Sequence, residues 1–405
     1  PTPGRTSSGK LWRSIRDSEM KILLVNKFLY PKGGSETYVF EVGKELESRG
    51  HSVSYFGQEN ANNVVGNASN LLVSARTLNP FKLIYSREAY NKFHKLLVSE
   101  KPDVVHLNNI NFQLTPSIIY AARKMQVPVV WTIHDPQLVC PNHRLFIEHD
   151  MKVCTQCVDG DVCGCIKNKC FDNSWIKSLI GYLEAKKYYR SDIYDYVNKF
   201  ICPSRFMADM LMHRFPAEKI QVLSNYCKFQ KCTQIEKEDY ILYYGRISEE
   251  KGIKTLLKAV PSDIKLVIAG KGPLASILQD LPPNVSYVGF QSGEELKKLI
   301  QKAKFSIYPS EWYENCPFSV IESISFGTPV IGAKIGGIPE LIEDGKTGLL
   351  FEAGNADELR DKIQSLYYND KELSAMIQNT EVVSFMDLKA YCTELLSLYQ
   401  SVIKH

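Results

Sequence analysis

Short apolar runs alternate with helical segments along most of the chain, and this alternation constrains the fold more than any other feature. The runs are shorter than ordinary helices and are commonly bounded by glycine, proline or polar residues, which is typical of buried strands. Strands that alternate with helices predict parallel sheets with helices on both faces. The predicted strands are residues 21–26, 51–57, 102–109, 128–135, 199–204, 240–245, 265–270, 285–290, 305–310 and 329–333.

The alternation is interrupted once and then restarts, which divides the chain into two α/β halves. A chain of 405 residues is also too long for one ordinary core. We therefore predict an N-terminal domain over residues 20–222, with a cysteine-rich insert at 136–174, and a C-terminal domain over residues 223–385. Ligands of such sheets bind beyond the carboxyl ends of the strands, so the loops after the strands are expected to carry the chemistry.

The first residues and the composition predict the cellular compartment in which the protein functions. Residues 1–19 contain no hydrophobic stretch like that of a signal peptide, so we interpret them as a disordered extension or tag remnant before a natural start at Met20. No apolar run reaches the roughly 18 residues of a membrane span. We expect a cytoplasmic protein whose eleven cysteines are mostly reduced. The net charge of +4 is small for this length and argues against nucleic acid as a partner.

The segment ENCPFSVIE separates Glu314 from Glu322 by seven residues. Pro317 suits the first turn of a helix, so Glu314 is expected in a loop and Glu322 inside the helix. A continuous helix would separate them by roughly 12 Å, more than the about 5 to 9.5 Å of a glycosidase carboxylate pair. Two separate hydrogen-bonding positions along one elongated ligand fit better, and the free amides at the helix start between them can bind a diphosphate. Two solvated glutamates are the alternative.

Two further loops carry candidate ligand-binding groups. Arg246 and Lys251 follow a strand and can converge on one diphosphate, with an ordinary charged turn as the alternative. Gly33 and Gly34 allow close approach to a ligand or make a plain tight turn, and Ser35 is expected to cap the next helix.

A weak dinucleotide fingerprint appears in the sequence GKGPLA at residues 270–275. Gly270, Gly272 and Ala275 spell G-x-G-x-x-A after a strand. The motif belongs in a first βα unit with an acidic residue about 20 positions on, at the end of the next strand, and that residue is missing here. Pro273 also alters the turn.

Residues 310–351, SEWYENCPFSVIESISFGTPVIGAKIGGIPELIEDGKTGLLF, resemble the donor-site segment of retaining glycosyltransferases of family 4. The resemblance covers about residues 20–400 and is weakest at 140–195. It implies the GT-B fold, in which two Rossmann-like α/β domains face their parallel sheets across a cleft. It also implies that residues 386–405 cross back to the first domain.

The resemblance implies a role for each matching residue. Glu314 would contact hydroxyls of the donor sugar, and Glu322 the nucleotide ribose. Arg246 and Lys251 would neutralise the leaving diphosphate, so that catalysis needs no metal. His134 would lie near the donor sugar and the reaction centre, although a buried hydrogen-bonding histidine is the alternative. The other implied donor-side residues are Gly33, Gly34, Gly272, Val288, Phe290, Asn315, Cys316, Pro317, Phe318 and Ser319. His106 and Asn109 are expected on the acceptor side.

The function that follows from this resemblance is transfer of a sugar from a nucleotide-diphosphate sugar, UDP rather than GDP, with retention of configuration. The acceptor would be a saccharide or a lipid-linked saccharide, in cell-surface polysaccharide or lipopolysaccharide biosynthesis. An NAD-dependent dehydrogenase and a non-catalytic nucleotide-sugar-binding protein are the alternatives.

The cysteine-rich insert leaves three interpretations open. A CxxC pair followed by a CxC and a further cysteine can supply the four sulfurs of a structural zinc. Free thiols are the second interpretation and disulfides the third, which a cytoplasmic location disfavours. The six cysteines are Cys140, Cys154, Cys157, Cys163, Cys165 and Cys170.

The segment 175–190 reads as a helix with an apolar stripe and basic residues nearby. A stripe of this kind favours a helix that faces the core. The alternative is binding to an anionic lipid surface, which suits an enzyme with a lipid-linked acceptor. The stripe consists of Trp175, Ile176, Leu179, Ile180 and Leu183.

Overall fold

The computed structural model describes residues 19–66, 71–74, 80–227 and 236–403. Apart from Glu19, the extension expected at residues 1–19 lies outside these residues. The strands are β1 (Lys21–Val25), β2 (Ser52–Phe56), β3 (Val104–Leu107), β4 (Val129–Thr132), β5 (Phe146–Ile147), β6 (Lys152–Val153), β7 (Lys199–Cys202), β8 (Ile220–Val222), β9 (Ile241–Arg246), β10 (Leu266–Lys271), β11 (Val285–Tyr287), β12 (Ser306–Tyr308), β13 (Val330–Ala333) and β14 (Gly348–Phe351).

Helices connect most of these strands. The α-helices are α1 (Gly34–Ser48), α2 (Pro80–Ile84), α3 (Arg87–Glu100), α4 (Ser117–Lys124), α5 (Cys163–Lys167), α6 (Trp175–Tyr189), α7 (Arg205–Met212), α8 (Ile253–Ala259), α9 (Gly293–Lys302), α10 (Phe318–Ser325), α11 (Ala356–Tyr367), α12 (Asp370–Val382) and α13 (Leu388–Ile403).

The strands form two six-stranded sheets, as the alternation predicts. The first has the order β2-β1-β3-β4-β7-β8 and the second β11-β10-β9-β12-β13-β14. Every registered pair in either sheet is parallel. The fold is therefore two Rossmann-like α/β domains. The prediction missed β8 and β14 and the short antiparallel hairpin β5–β6 inside the insert.

Helix α13 lies against the first domain although it follows the second in sequence. Its Tyr391 and Tyr399 are buried in one cluster with Tyr38 of α1. The hydroxyls of Tyr38 and Tyr391 are 2.8 Å apart, and the Tyr399 hydroxyl is 2.5 Å from Nδ1 of His106 on β3. The C-terminal segment thus joins the two domains through a packed aromatic cluster.

Polar contacts also fix the junction between the domains. The hydroxyl of Ser204 donates to Oδ1 of Asn315 at 2.7 Å. The carboxylate of Glu340 accepts the backbone N–H groups of Arg205 and Phe206, both at 2.7 Å. These amides open α7, so a carboxylate of one domain caps a helix of the other and meets its positive end.

Helix α6 departs from the core-facing interpretation at three of the five stripe residues, and the other two, Leu179 and Ile180, are half-buried. Trp175, Ile176 and Leu183 are exposed, whereas the residues that face the domain are mostly small. Within the described residues, no helix is both long and apolar enough to cross a membrane.

Candidate active site

A cleft opens between the carboxyl ends of the two sheets and contains two adjoining cavities. The larger, about 610 Å³, lies mainly over the second sheet, beside β9 and β10. The smaller, about 430 Å³, is lined by loops of both domains. Both cavities touch Gly245 and Arg246 at the end of β9. An elongated ligand can therefore pass from one cavity to the other beside the Arg246 side chain, which is 62% exposed.

Lys251 and Glu314 form an ion pair on the wall of the smaller cavity. Oε1 of Glu314 also accepts from Ser310 Oγ at 2.7 Å and from Trp312 Nε1 at 2.6 Å. Burial lowers the pKa of Lys251, but the Glu314 carboxylate and the Tyr308 hydroxyl outweigh it, and the pKa is raised above its usual value. The lysine is therefore a fixed cation at neutral pH.

The segment after Glu314 runs along the smaller cavity and into α10. As predicted, Glu314 lies in the loop and Glu322 lies inside the helix. The remaining donor-side residues of this segment also line the cavity: Asn315, Cys316, Pro317, Phe318 and Ser319. Asn225 Nδ2 donates to the Cys316 carbonyl at 2.7 Å, which helps to hold this loop in place.

A close glycine contact keeps this loop in place. A Cβ on Gly337 would lie 1.8 Å from the Asn315 carbonyl oxygen. The backbone N–H of Gly337 donates to the Glu314 carbonyl at 2.8 Å. A larger residue at Gly337 would push the Glu314 loop out of the cleft.

The larger cavity is lined by two of the four residues expected on the nucleoside side, and Val288 and Glu322 lie outside its lining. Gly272 and Phe290 line it, and the Lys271 ammonium lies 4.6 Å from the centre of the Phe290 ring. Val288 is 39% exposed and does not line either cavity. Glu322 is half-buried beside Tyr244, and Tyr244 lines the larger cavity. Burial raises the pKa of Tyr244, and the negative charge of Glu322 raises it further.

His134 lies on the N-terminal side of the smaller cavity. Its Nε2 is 2.9 Å from Oδ1 of Asn108, and its ring meets that of Tyr38 edge-on at 4.9 Å. Burial lowers the pKa of His134 to about 3, so the imidazole is neutral at physiological pH. A neutral imidazole can hydrogen-bond a sugar hydroxyl but supplies no charge.

The glycine loop after β1 differs in one respect from its prediction. Gly33 contacts the larger cavity and Gly34 the smaller. Gly33 occupies the N-cap position of α1, and no side chain caps the helix, because Ser35 lies inside it. The Ser35 hydroxyl instead accepts from Asn109 Nδ2 at 3.0 Å, and both residues line the smaller cavity.

His106 does not lie in the cleft. It is fully buried, with Nε2 2.7 Å from the Thr132 hydroxyl and Nδ1 facing Tyr399 of α13. The expected acceptor contact at His106 is therefore wrong, because α13 covers this side of β3. Sequence reasoning could not foresee it, since α13 lies almost 300 residues further along the chain.

Two family models match consecutive parts of the chain. "Glycosyltransferase Family 4" matches residues 32–227, and "Glycosyl transferases group 1" matches residues 228–383. Together they span residues 32–383, which include the second sheet and every strand of the first sheet except β1. The chain belongs to glycosyltransferase family 4.

Relatives of this family 4 member differ in how much of their length they share with it. A GDP-mannose-dependent alpha-mannosyltransferase of Corynebacterium glutamicum is 33% identical over 163 residues, which are 40% of this chain and 39% of that protein. This match thus spans about two fifths of that relative. The N-acetyl-alpha-D-glucosaminyl L-malate synthase of Bacillus anthracis is 22% identical over 85% of this chain and 87% of its own length.

A solved structure shows the same fold. The Anabaena protein HepE, crystallised in complex with UDP, has a TM-score of 0.65 and 16% identity, covering 94% of this chain and all of that one. The two-domain GT-B architecture of this family 4 member is therefore shared over nearly its full length.

The family 4 cleft also contains a polar cluster that sequence reasoning missed. Asp135 lines the smaller cavity and accepts from Asn111 Nδ2 at 3.3 Å, and Asn111 in turn lies 2.7 Å from His143 Nδ1. The Lys27 ammonium donates to Asn111 Oδ1. Burial raises the pKa of Asp135 to about 6, although Lys27 opposes the shift. The only signal was position: Asp135 follows His134 at the end of a strand.

The G-x-G-x-x-A sequence of this glycosyltransferase does not form a dinucleotide site. Gly270 is the penultimate residue of β10, an inner strand of the second sheet, and Ala275 begins a short 3₁₀ turn rather than an α-helix. A pyrophosphate would therefore find no helix N-terminus at this loop.

The insert gathers its thiols without a metal-binding arrangement. Burial raises the pKa of Cys157 to about 12, and the neighbouring Cys140, Cys154 and Cys170 contribute to this shift. The described cysteines are all free thiols, including buried Cys165 and exposed Cys163. In the described part of the chain no three His, Cys, Asp or Glu residues are placed to hold a metal ion. The structural zinc stays a prediction from spacing, which elemental analysis of the purified chain tests.

Proposed function

We propose that this chain transfers a sugar from a nucleotide-diphosphate sugar, with UDP rather than GDP as the nucleotide, to a saccharide or lipid-linked saccharide. One observation carries the proposal: two cavities of suitable size meet at Arg246, with Lys251 nearby on the wall of the second. The nucleoside would occupy the larger cavity and the sugar the smaller. The diphosphate would then cross the junction at Arg246, with Lys251 on the wall of the smaller cavity.

The cations would act on the leaving group. Negative charge grows on the diphosphate as its bond to the sugar breaks, and preorganised positive groups stabilise that charge in the transition state. Lys251 is held in place by Glu314, so little reorganisation is needed when the donor binds. Arg246 is exposed and can supply a planar fork to phosphate oxygens. We propose that these two residues replace a catalytic metal.

The two glutamates would grip the two ends of the donor. Glu314 uses Oε1 for its three hydrogen bonds to Lys251, Ser310 and Trp312. Oε2 would accept from hydroxyls of the donor sugar. Glu322, beside the larger cavity, would accept from the ribose hydroxyls, because a carboxylate can bind a vicinal diol through both oxygens.

We propose retention by attack on the same face of the sugar. The acceptor oxygen would bond to the anomeric carbon as the bond to the diphosphate oxygen breaks. The acceptor proton would pass to that leaving oxygen, so no protein nucleophile takes part. Neutral His134 would orient the sugar by hydrogen bonding at the cavity wall.

The acceptor would enter from the N-terminal side, where Asn109, His134 and Asp135 face the smaller cavity. A lipid-linked acceptor would bring the reaction to the cytoplasmic face of a membrane, in polysaccharide or lipopolysaccharide biosynthesis. Cleft closure would exclude water and limit donor hydrolysis.

A thermal-shift screen across nucleotide sugars tests the donor. A strong preference for one UDP sugar would support the proposal, and a preference for NAD would overturn it. Slow donor hydrolysis by the purified chain distinguishes an enzyme from a binding protein, which would bind the same donor without turnover.

A further inference from the structure

Helix α6 turns its large apolar side chains away from the protein. Trp175 is 56% exposed, Ile176 67% and Leu183 41%. The buried residues of the helix are smaller, apart from one tyrosine: Ser178, Gly181, Ala185 and Tyr188. Large apolar groups at the surface of a monomer commonly mark a contact with a partner.

Close packing fixes this orientation. A Cβ on Gly181 would lie 2.2 Å from the Phe171 ring, so the helix backbone meets the insert at that position. The Ser178 hydroxyl accepts the backbone N–H of Phe171 at 3.1 Å. The face with small residues therefore packs against the protein, and the opposite face is exposed at the surface.

The opposite face has a distinct composition. At 3.6 residues per turn, seven side chains point to this side, which we call the α6 outer face. The α6 outer face consists of Trp175, Ile176, Leu179, Leu183, Lys186, Lys187 and Arg190. Its first two turns are apolar and its end is basic, and it contains no carboxylate.

The acidic groups near this face leave its positive charge intact. Glu184 is half-buried beside the outer face, and burial raises its pKa to about 8 although Lys187 opposes the shift, so it is mostly neutral at pH 7. Asp172, just before the helix, is paired with Lys177 at 2.6 Å. An apolar stripe with tryptophan and basic ends is the composition of helices that lie in a membrane interface.

We propose that the α6 outer face docks this chain on an anionic lipid surface. The apolar first turns would enter the headgroup region, and Lys187 and Arg190 would face lipid phosphates. A second copy of the chain would present no carboxylate on this face to pair with Lys187 and Arg190, so the basic end favours lipid phosphates. The purpose of docking rests on the proposed function, since it would bring the cleft to a lipid-linked acceptor, but the docking itself requires no donor.

Co-sedimentation of the full chain with vesicles tests the proposal. We expect binding to phosphatidylglycerol mixed with phosphatidylcholine, weakened by salt, and much weaker binding to phosphatidylcholine alone. The double substitution Trp175→Ser, Ile176→Ser should lower affinity roughly tenfold or more. Lys187→Ser and Arg190→Ser should each lower it about fivefold. Brominated acyl chains should quench the emission of Trp175, measured against Trp175→Phe.

Val382→Ser is the matched control, since Val382 is 80% exposed on the second domain and its loss should leave vesicle binding unchanged. Equal binding of the double variant, or no sedimentation with anionic vesicles, would overturn the proposal. A concentration-dependent dimer abolished by the double variant would also overturn it and assign the face to a second copy. Failure of donor hydrolysis would count against the proposed function and leave this result standing.

Discussion

Lys251 and Glu314 pair across two loops of the C-terminal domain, one after β9 and one after β12, with side chains only 18% and 10% exposed. Each loop follows a strand of the same parallel sheet, so both charges reach the same edge. The pair fixes a cation for the diphosphate and a carboxylate for the sugar before any donor binds.

Lys251→Ala should lower the rate of donor hydrolysis about a hundredfold or more, because it removes a preorganised charge from the leaving group. It also leaves Glu314 unpaired, which should cost about 3 kcal/mol of unfolding free energy. The double variant Lys251→Ala, Glu314→Ala should lose less unfolding free energy than the sum of the losses in the two single variants. Hydrolysis at the wild-type rate in a folded Lys251→Ala protein would contradict the assigned role.

Glu322→Ala should weaken binding of the free nucleoside diphosphate about tenfold, since two hydrogen bonds to the ribose are lost. Isothermal titration with UDP and with GDP measures the change. Glu294→Ala is the control, because Glu294 is exposed on α9 and lines neither cavity. Unchanged affinity in Glu322→Ala would show that the ribose lies elsewhere.

Stability should fall as the pH drops from about 6.5 toward 3. Burial lowers the pKa of His106, His134 and His143 to about 3. The unfolded chain binds these protons below 6.5 and the folded chain does not, so acid favours unfolding by up to about 1.4 kcal/mol per pH unit for each histidine. Glu184 and Asp135 act in the opposite direction because their pKa values are raised, Glu184 between about 8 and 4.5 and Asp135 between about 6 and 4.

Thermal unfolding at pH 7 and pH 5 measures this effect. His106→Gln should show a smaller pH dependence than wild type, since one of the three groups no longer titrates. A Tm that is equal at both pH values would refute the prediction.

Glu340→Gln should loosen the junction between the domains. It replaces a charged cap on the first amides of α7 with a neutral one, and such charge-assisted bonds contribute about 1 to 3 kcal/mol. Small-angle scattering should report a larger radius of gyration. Glu343→Gln removes only an exposed pair with Lys346 and should leave the radius unchanged.

Transfer should persist in a chelator if Arg246 and Lys251 serve in place of a metal. Activity measured with EDTA and with added magnesium should differ by less than about twofold, because the charge on the diphosphate is met by fixed side chains. Loss of activity in the chelator, restored by a divalent ion, would refute this part of the mechanism.

The sequence by itself determined ten of the twelve strands in the two described six-stranded sheets and the loop–helix division between Glu314 and Glu322. These features depend on apolar periodicity and helix-start chemistry, which act over a few residues. It also identified Arg246, Lys251 and His134, since parallel strands bring the loops at their carboxyl ends to one edge of the sheet.

Only the tertiary structure decided which faces are covered and which charges pair. His106 is buried because α13 returns to cover β3, and α6 exposes Trp175 because Gly181 leaves room for Phe171 on its other side. The Asp135 cluster likewise arises where three separate loops meet. Such outcomes depend on partners far apart in sequence, so local pattern could propose these residues but could not place them.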